Sequence, residues 1–380
     1  GLTSIHWREA WKYGERAFRY CQHDVGHALG ALAVAAAGLG WSTRACDELG
    51  SEELGALLGV AMQRGPDAEH VDVLVAVAPR ALDVSAAPTG AALAACSSLS
   101  FVGFPNELSS SYVEWDAIES AAQATRKSRT SSVDVARVAA AEFDGYGALA
   151  LREIVRGRRS AVALDSRITM TRDAFLRTLR RTLVGVGGVA HDVLPWEPLV
   201  DLVVHVHRVE GVEPGLYVLP RGGRRVEHLR SKLRSDFEWL SSAEVAPGLP
   251  LLRLRGGDAR SLARSSSCNQ DIAADGCFAV AMLAEFAEPL TRDGAWKYRR
   301  MFWECGLIGQ LLYLEAEACG LRGTGIGCFF DDALHRALGL ESAAFQDLYH
   351  FTVGRAVDDA RITAEPAYQD HGTSAGGAAS

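Results

Sequence analysis

Apolar positions run almost unbroken through two stretches of this chain, AFRYCQHDVGHALGALAVAAAGLGW from Ala17 to Trp41 and MFWECGLIGQLLYLEAEACG at 301–320. A helix that is apolar on all sides is buried on all sides, so both stretches predict core helices. Asp24 and His27 interrupt the first, and its uninterrupted part, 28–41, is shorter than the roughly 20 residues a membrane span needs. With Gly26 placed on Gly306 (306 − 26 = 280), small residues and an acidic position fall in register. Each stretch is followed by a short loop, an amphipathic segment (DELGSEELGALLGV, FFDDALHRALGL) and a strand-like run (VDVLVAVAP at 71–79, DLYHFTVG at 347–354). This order predicts a partial internal repeat. A Trp-Lys-Tyr triplet precedes both helices, at 11–13 and 296–298, with different spacing to the glycine.

Elsewhere the period changes. SRITMTRDAFLRTLRRTL has the pattern of a capped amphipathic helix. LVDLVVHVHRVEG and GLYVLPRG alternate around a Glu-Pro-Gly turn and predict a β-hairpin. LPLLRLRG is a further short strand, and CNQDIAADGCFAVAMLAEF mixes loop, strand and a turn of helix. Trp115, Ile118 and the alanines after them suit one amphipathic helix in an otherwise turn-rich connecting arm. Strands and helices interleave without regular βαβ alternation, which favours an α+β fold over a doubly wound sheet.

Composition narrows the partners. The chain has 380 residues and a formal net charge of −8, which argues against nucleic acid as the main partner. Its eight cysteines are scattered with no CxxC pair, the pattern of reduced, mostly core thiols in a cytoplasmic protein. The stretch after Gly1 has no signal-peptide pattern.

Three groups of residues carry candidate chemistry. Arg156, Arg158, Arg159 and Ser160 combine guanidinium forks with a hydroxyl at a helix end, which suits a phosphate monoester or simply a solvated basic helix end. Arg361 is a second, weaker anion contact. The glycines of GTGIG at 323–327 leave a bare backbone that either makes a tight turn or presents N–H groups to a flat ring. Gly185, Gly187 and Gly188 look like a cofactor loop but follow a helix, so a dinucleotide fingerprint is rejected. His23 and His27 have i, i+4 spacing, but no further ligands stand at recognisable spacing and no metal site is expected. His205 and His207 share one face of a strand, where a solvent or hairpin-face position is the default.

The combination of RRS, HRVEGVEPGLYVLP, YRRMFWECGLIGQLLYLEAEACGLRGTGIGCFFDD and LYHFTVG with DDARI resembles the nitroreductase superfamily, and most closely its SagB-type dehydrogenase branch. The resemblance implies an α+β nitroreductase-like fold with a mixed or antiparallel sheet, and two modules in one chain forming a pseudo-dimer. Residues 1–85 would be a partial module, 86–150 an arm, 151–365 a complete FMN module and 366–380 a disordered tail. Arg158, Arg159, Ser160 and Arg361 would hold the FMN phosphate and ribityl chain, and Gly325, Ile326 and Gly327 would face the flavin ring. Val162 stands where relatives often carry a basic residue. Lys12 with Tyr13, or Lys297 with Tyr298, would supply the acid/base pair of azoline oxidation. The substrate implied is a thiazoline or oxazoline in a peptide or small molecule. Alternatives are NAD(P)H-driven reduction of a nitro compound or quinone, and a flavin-less scaffold, with further oligomerisation open in each case.

Overall fold

The computed structural model describes residues 1–79, 90–103, 111–131, 150–185, 189–222 and 225–363. Gly187, Gly188, much of the expected arm and the expected tail lie outside them. The first half contains β1 (Leu2–Ser4), α1 (Trp7–Tyr13), α2 (Ala17–Gly38), β2 (Trp41–Ala45), α3 (Ser51–Leu57), β3 (His70–Val73), β4 (Val75–Pro79), α4 (Gly90–Ser97) and α5 (Asp116–Ala124). Next come α6 (Leu151–Gly157), α7 (Arg172–Arg181), β5 (Val200–Val206), β6 (Gly215–Leu219), α8 (Arg225–Lys232), β7 (Leu240–Ser241) and β8 (Leu252–Gly256). The chain continues through α9 (Arg260–Ser266), α10 (Ile272–Asp275), β9 (Phe278–Glu285), α11 (Ala287–Asp293), α12 (Lys297–Ala318), β10 (Arg322–Ile326), α13 (Asp331–Leu338) and β11 (Phe345–Gly354).

A seven-stranded sheet in the order β10-β11-β9-β5-β6-β8-β7, antiparallel at every step, forms the second half. The predicted hairpin is β5–β6, with Val206 opposite Gly215. Its burial departs from expectation: every residue of β5 is buried, and His205 and His207 are 2% and 5% exposed. The reason is that β5 is an interior strand covered on both faces, so alternation does not report an outside. Thr171 caps α7, its hydroxyl accepting from the Ala174 amide, as the sequence predicted.

Helices α2 and α12 pack with their backbones almost touching. A Cβ on Gly26 would lie 2.2 Å from the Trp303 carbonyl oxygen, and one on Gly306 would lie 2.1 Å from that of His23. The glycine register inferred from sequence is thus the point of closest approach, where only glycine fits. Around it, Arg299 pairs with Asp72 at 3.3 Å, Arg300 with Asp47 at 2.6 Å, and the Trp303 indole donates to Gln22 at 2.7 Å. The order α2-β2-α3-β4 in the first half matches α12-β10-α13-β11 in the second, and β2–β4 and β10–β11 are both antiparallel pairs. One expected run is divided, because 71–79 breaks at Leu74 into β3, which pairs with β1, and β4, which pairs with β2. Helix α5, in the expected arm, packs against the first half, with Ile118 and Ala122 beside Ala10, Ala17 and Phe18.

Candidate functional site

The glycines of β10 and its exit are explained first by packing. A Cβ on Gly323 would come within 2.6 Å of the Phe351 ring, on Gly325 within 2.0 Å of the Tyr349 hydroxyl, and on Gly327 within 2.6 Å of the Tyr20 ring. The side-chain directions are therefore taken by the protein's own aromatic groups. What remains for a ligand is the main-chain edge, since β10 is the terminal strand of its sheet.

That edge is where the arginine motif arrives. Helix α6 ends at Gly157, the chain turns extended, and Ser160 forms a parallel bridge with Gly323 while the Ala161 amide donates to the Gly323 carbonyl. The Thr324 hydroxyl donates to the Ala161 carbonyl at 2.5 Å. Tyr313, from α12, joins the two motifs: the Ser160 hydroxyl donates to its Oη at 3.0 Å, the Gly325 amide donates to the same atom at 2.9 Å, and the Arg158 guanidinium lies 5.0 Å above its ring. Ser160 is exposed, and Arg158 and Arg159 are half-buried.

Not every expected residue converges there. Arg159 turns back on its own helix end, donating to the carbonyls of Arg156 and Arg158. The segment after β11 does run beside the loop that follows Ser160, with the Val357 amide donating to Ala163. Arg361, however, extends into solvent, 89% exposed, in an ion pair with Asp359. Ile326 is buried in the β10–β11 pair opposite His350. Val162 is exposed.

The two Lys-Tyr pairs separate clearly. Tyr13 stacks on Tyr20 with ring centroids 4.1 Å apart, and Tyr20 is the ring that meets Gly327, so Lys12 and Tyr13 sit at the rim of the turn. Lys12 is fully exposed, with its Nζ 5.0 Å from the Tyr13 ring, and a hydrogen bond to Tyr13 raises its pKa. Lys297 instead pairs with Asp293 at 3.6 Å in a cleft with Trp196 and Trp296. Tyr298 packs among Phe18, Phe286 and Phe302, and burial raises its phenol. None of these contacts touches β10 or the Arg158–Ser160 segment.

The histidines of α2 brace the interface. His27 lies between Gln310 Oε1 and the Tyr349 hydroxyl, 3.2 Å from each, and burial lowers its pKa to about 4. His23 bonds the Leu348 carbonyl at 3.1 Å and is lowered to about 3, again chiefly by burial. Both rings are neutral, and each has a nitrogen bonded within the chain. Sequence reasoning did not single out Tyr313, Tyr349 or Tyr20, since nothing in a run of apolar residues marks which tyrosine faces a strand edge.

The corresponding strand of the first half is β2, paired only with β4 among the described residues. At the position corresponding to GTGIG stands WSTRACDE, and there Arg44 in β2 is buried and paired with Glu48 at 2.9 Å. Phosphate chemistry fits Arg158 and Ser160 at the second-half edge. The Gly325 amide, which the resemblance would turn to a flavin ring, is held here by the Tyr313 hydroxyl.

Comparison with known proteins agrees with this architecture. Residues 227–355 match the nitroreductase family. An inferred nitroreductase from Anabaena variabilis superimposes with a TM-score of 0.64 at 20% identity, covering 93% of this chain and 68% of that one. Two further matches are more local. An inferred nitroreductase from Exiguobacterium sibiricum in complex with FMN has a TM-score of 0.32, 15% identity and coverage of 58% and 93%. The E. coli microcin synthetase McbBCD complex gives 0.39, 15%, 57% and 76%. A comparison with curated proteins found no match. The fold of this chain is nitroreductase-like, with a nitroreductase-family stretch in its second half.

Proposed function

We propose that the chain is an FMN-dependent oxidoreductase of the SagB type, built from a duplicated module and acting in the cytoplasm on a thiazoline or oxazoline within a peptide or small molecule. The supporting observation is that Ser160 and Gly325, from motifs far apart in sequence, meet on one hydroxyl, with Arg158 stacked above it. FMN, when bound, supplies two-electron hydride chemistry. Arg158 and Ser160 would hold its phosphate and ribityl chain through charge-assisted bonds. The Gly325 amide would turn from Tyr313 to the ring edge. Tyr20 and His27 of α2 would close the far side against water, and Lys12 with Tyr13 would move the proton at the rim.

Reconstitution with FMN tests the reading. The folded chain is expected to acquire a flavin absorption band that the Arg158→Ala variant loses; a folded chain that binds no flavin overturns the proposal. Anaerobic reduction of the bound flavin by NADPH would favour a nitro or quinone reductase instead of an azoline oxidase.

A flavin-less scaffold is the second reading, favoured by Arg361 lying in solvent and by the existing partner of the Gly325 amide. It predicts that the variant in which Arg158 and Arg361 are both alanine keeps its binding partners.

A further inference from the structure

Two cysteines that are 60 residues apart in sequence meet just past the glycine turn. Cys328, the residue after Gly327, and Cys268, after α9, have sulfurs 2.8 Å apart. Both are half-buried free thiols. The Arg16 guanidinium, from the other half of the molecule, donates to the Cys328 sulfur at 3.0 Å.

The surroundings fix this pairing. Gln270 donates through its Nε2 to the carbonyls of both Ser267 and Cys328, at 3.1 Å each, tying the two cysteine-bearing segments together. The Phe330 amide adds a bond to the Ser266 carbonyl. Ser267 is anchored from below by His350, 2.8 Å from its hydroxyl, and His350 by Asp347 at 2.6 Å. That row resembles a nucleophile relay, but all three side chains are buried, so it positions the backbone of Cys268 and meets no substrate. Cys268 and Asn269 both have φ near +58° (59° and 57°), a left-handed conformation unusual for side-chain-bearing residues. Such conformations are costly and persist where the surroundings enforce them.

We propose that Cys328 and Cys268 form a redox-active dithiol whose substrate is a low-molecular-weight disulfide. The Cys328 thiolate attacks one sulfur of the small disulfide, forming a mixed disulfide and releasing one thiolate, which takes a proton from water. Cys268 then gives its proton to water and attacks the Cys328 sulfur, expelling the second thiolate. Two cysteine thiols are oxidised to one cystine, and one small disulfide is reduced to two thiols. The attacking and resolving roles follow from the environment. The hydrogen bond shared with Cys328, and then burial, raise the Cys268 thiol, while at Cys328 burial is outweighed by the Cys268 hydrogen bond and the Arg16 guanidinium, which lower the pKa. A switch of this kind is the form that cytosolic disulfides usually take. It needs no flavin and so stands apart from the function proposed above.

The test uses the full chain and oxidised glutathione, followed by alkylation and peptide mass spectrometry. The Cys268–Cys328 cross-linked peptide is expected. In Cys268→Ser the reaction stalls as a glutathione adduct on Cys328. At pH 7, Cys328 should alkylate about tenfold faster than the comparably exposed Cys96, and Arg16→Gln should abolish most of that difference. Cross-linking absent while the chain remains folded, adducts spread over the other cysteines, or equal alkylation of Cys328 and Cys96 would each overturn the proposal. Because the readout is the thiols alone, a failed flavin reconstitution leaves it intact.

Discussion

At the scale of single residues, Tyr313 decides how the candidate site behaves. Its hydroxyl accepts from both Ser160 and the Gly325 amide, so a ligand needing either donor must displace it. Tyr313→Phe keeps the ring beneath Arg158 and removes only the competitor. A hydrogen bond nets about 0.5–1.5 kcal/mol, and Ser160 is open to water, so the stability cost should be at the low end. The expected outcome is FMN affinity stronger by roughly two- to thirteenfold, the range those energies convert to, measured by quenching of flavin fluorescence. Unchanged affinity would show that the hydroxyl does not compete. Weakened affinity would mean that it contacts the ligand directly.

Among elements, the α2–α12 crossing limits what the sequence can change. Gly306→Ala would place a methyl 2.1 Å from the His23 carbonyl, where no side chain can rotate away. The helices must part, and the few tenths to 1 kcal/mol that alanine gains in helix propensity cannot offset overpacking of about 3 kcal/mol. Urea unfolding should show that loss, while Gly90→Ala, in open space at the start of α4, should be near neutral. Thr171→Ala removes the cap of α7 and should cost about 1 kcal/mol in the same assay. These features were legible because they are local or periodic: the cap, the β5–β6 hairpin and the Gly26–Gly306 register all follow from spacing along the chain. The burial of His205, the break at Leu74 and the meeting of Ser160 with Gly325 were not, because each depends on which strand lies beside which. The Cys268–Cys328 contact was invisible for the same reason, and neither cysteine carries a local mark that sets it apart from the other six.

For the molecule as a whole, the buried histidines set the acid limit. Burial is the main cause at each: His23 and His191 are lowered to about 3, His27 and His207 to about 4, His6 and His205 well below the ordinary value, and His70 below it. Above pH 7 these rings are neutral whether the chain is folded or not, and they contribute no pH dependence. As the pH falls through about 6.5, the unfolded chain takes up protons the folded chain refuses, and stability drops until the folded pKa values are reached. Four carboxyl groups oppose this: burial pushes Glu315 up to about 8 and Asp24 to about 6 and also raises Asp72 and Asp275, so the folded state binds those protons first. Their effect is the smaller, with seven rings against four acids, and the Arg181 guanidinium 3.3 Å from Glu315 favours its ionised form. The urea midpoint should therefore fall steeply between pH 7 and pH 5. His205 has no side-chain partner at either ring nitrogen among the described residues, only the Ala279 backbone beside it, so His205→Leu should flatten the slope by up to one proton and raise stability at pH 5. A midpoint that does not move over that range would mean that the rings are already protonated inside the fold, and that water or counter-charges reach an interior described here as closed.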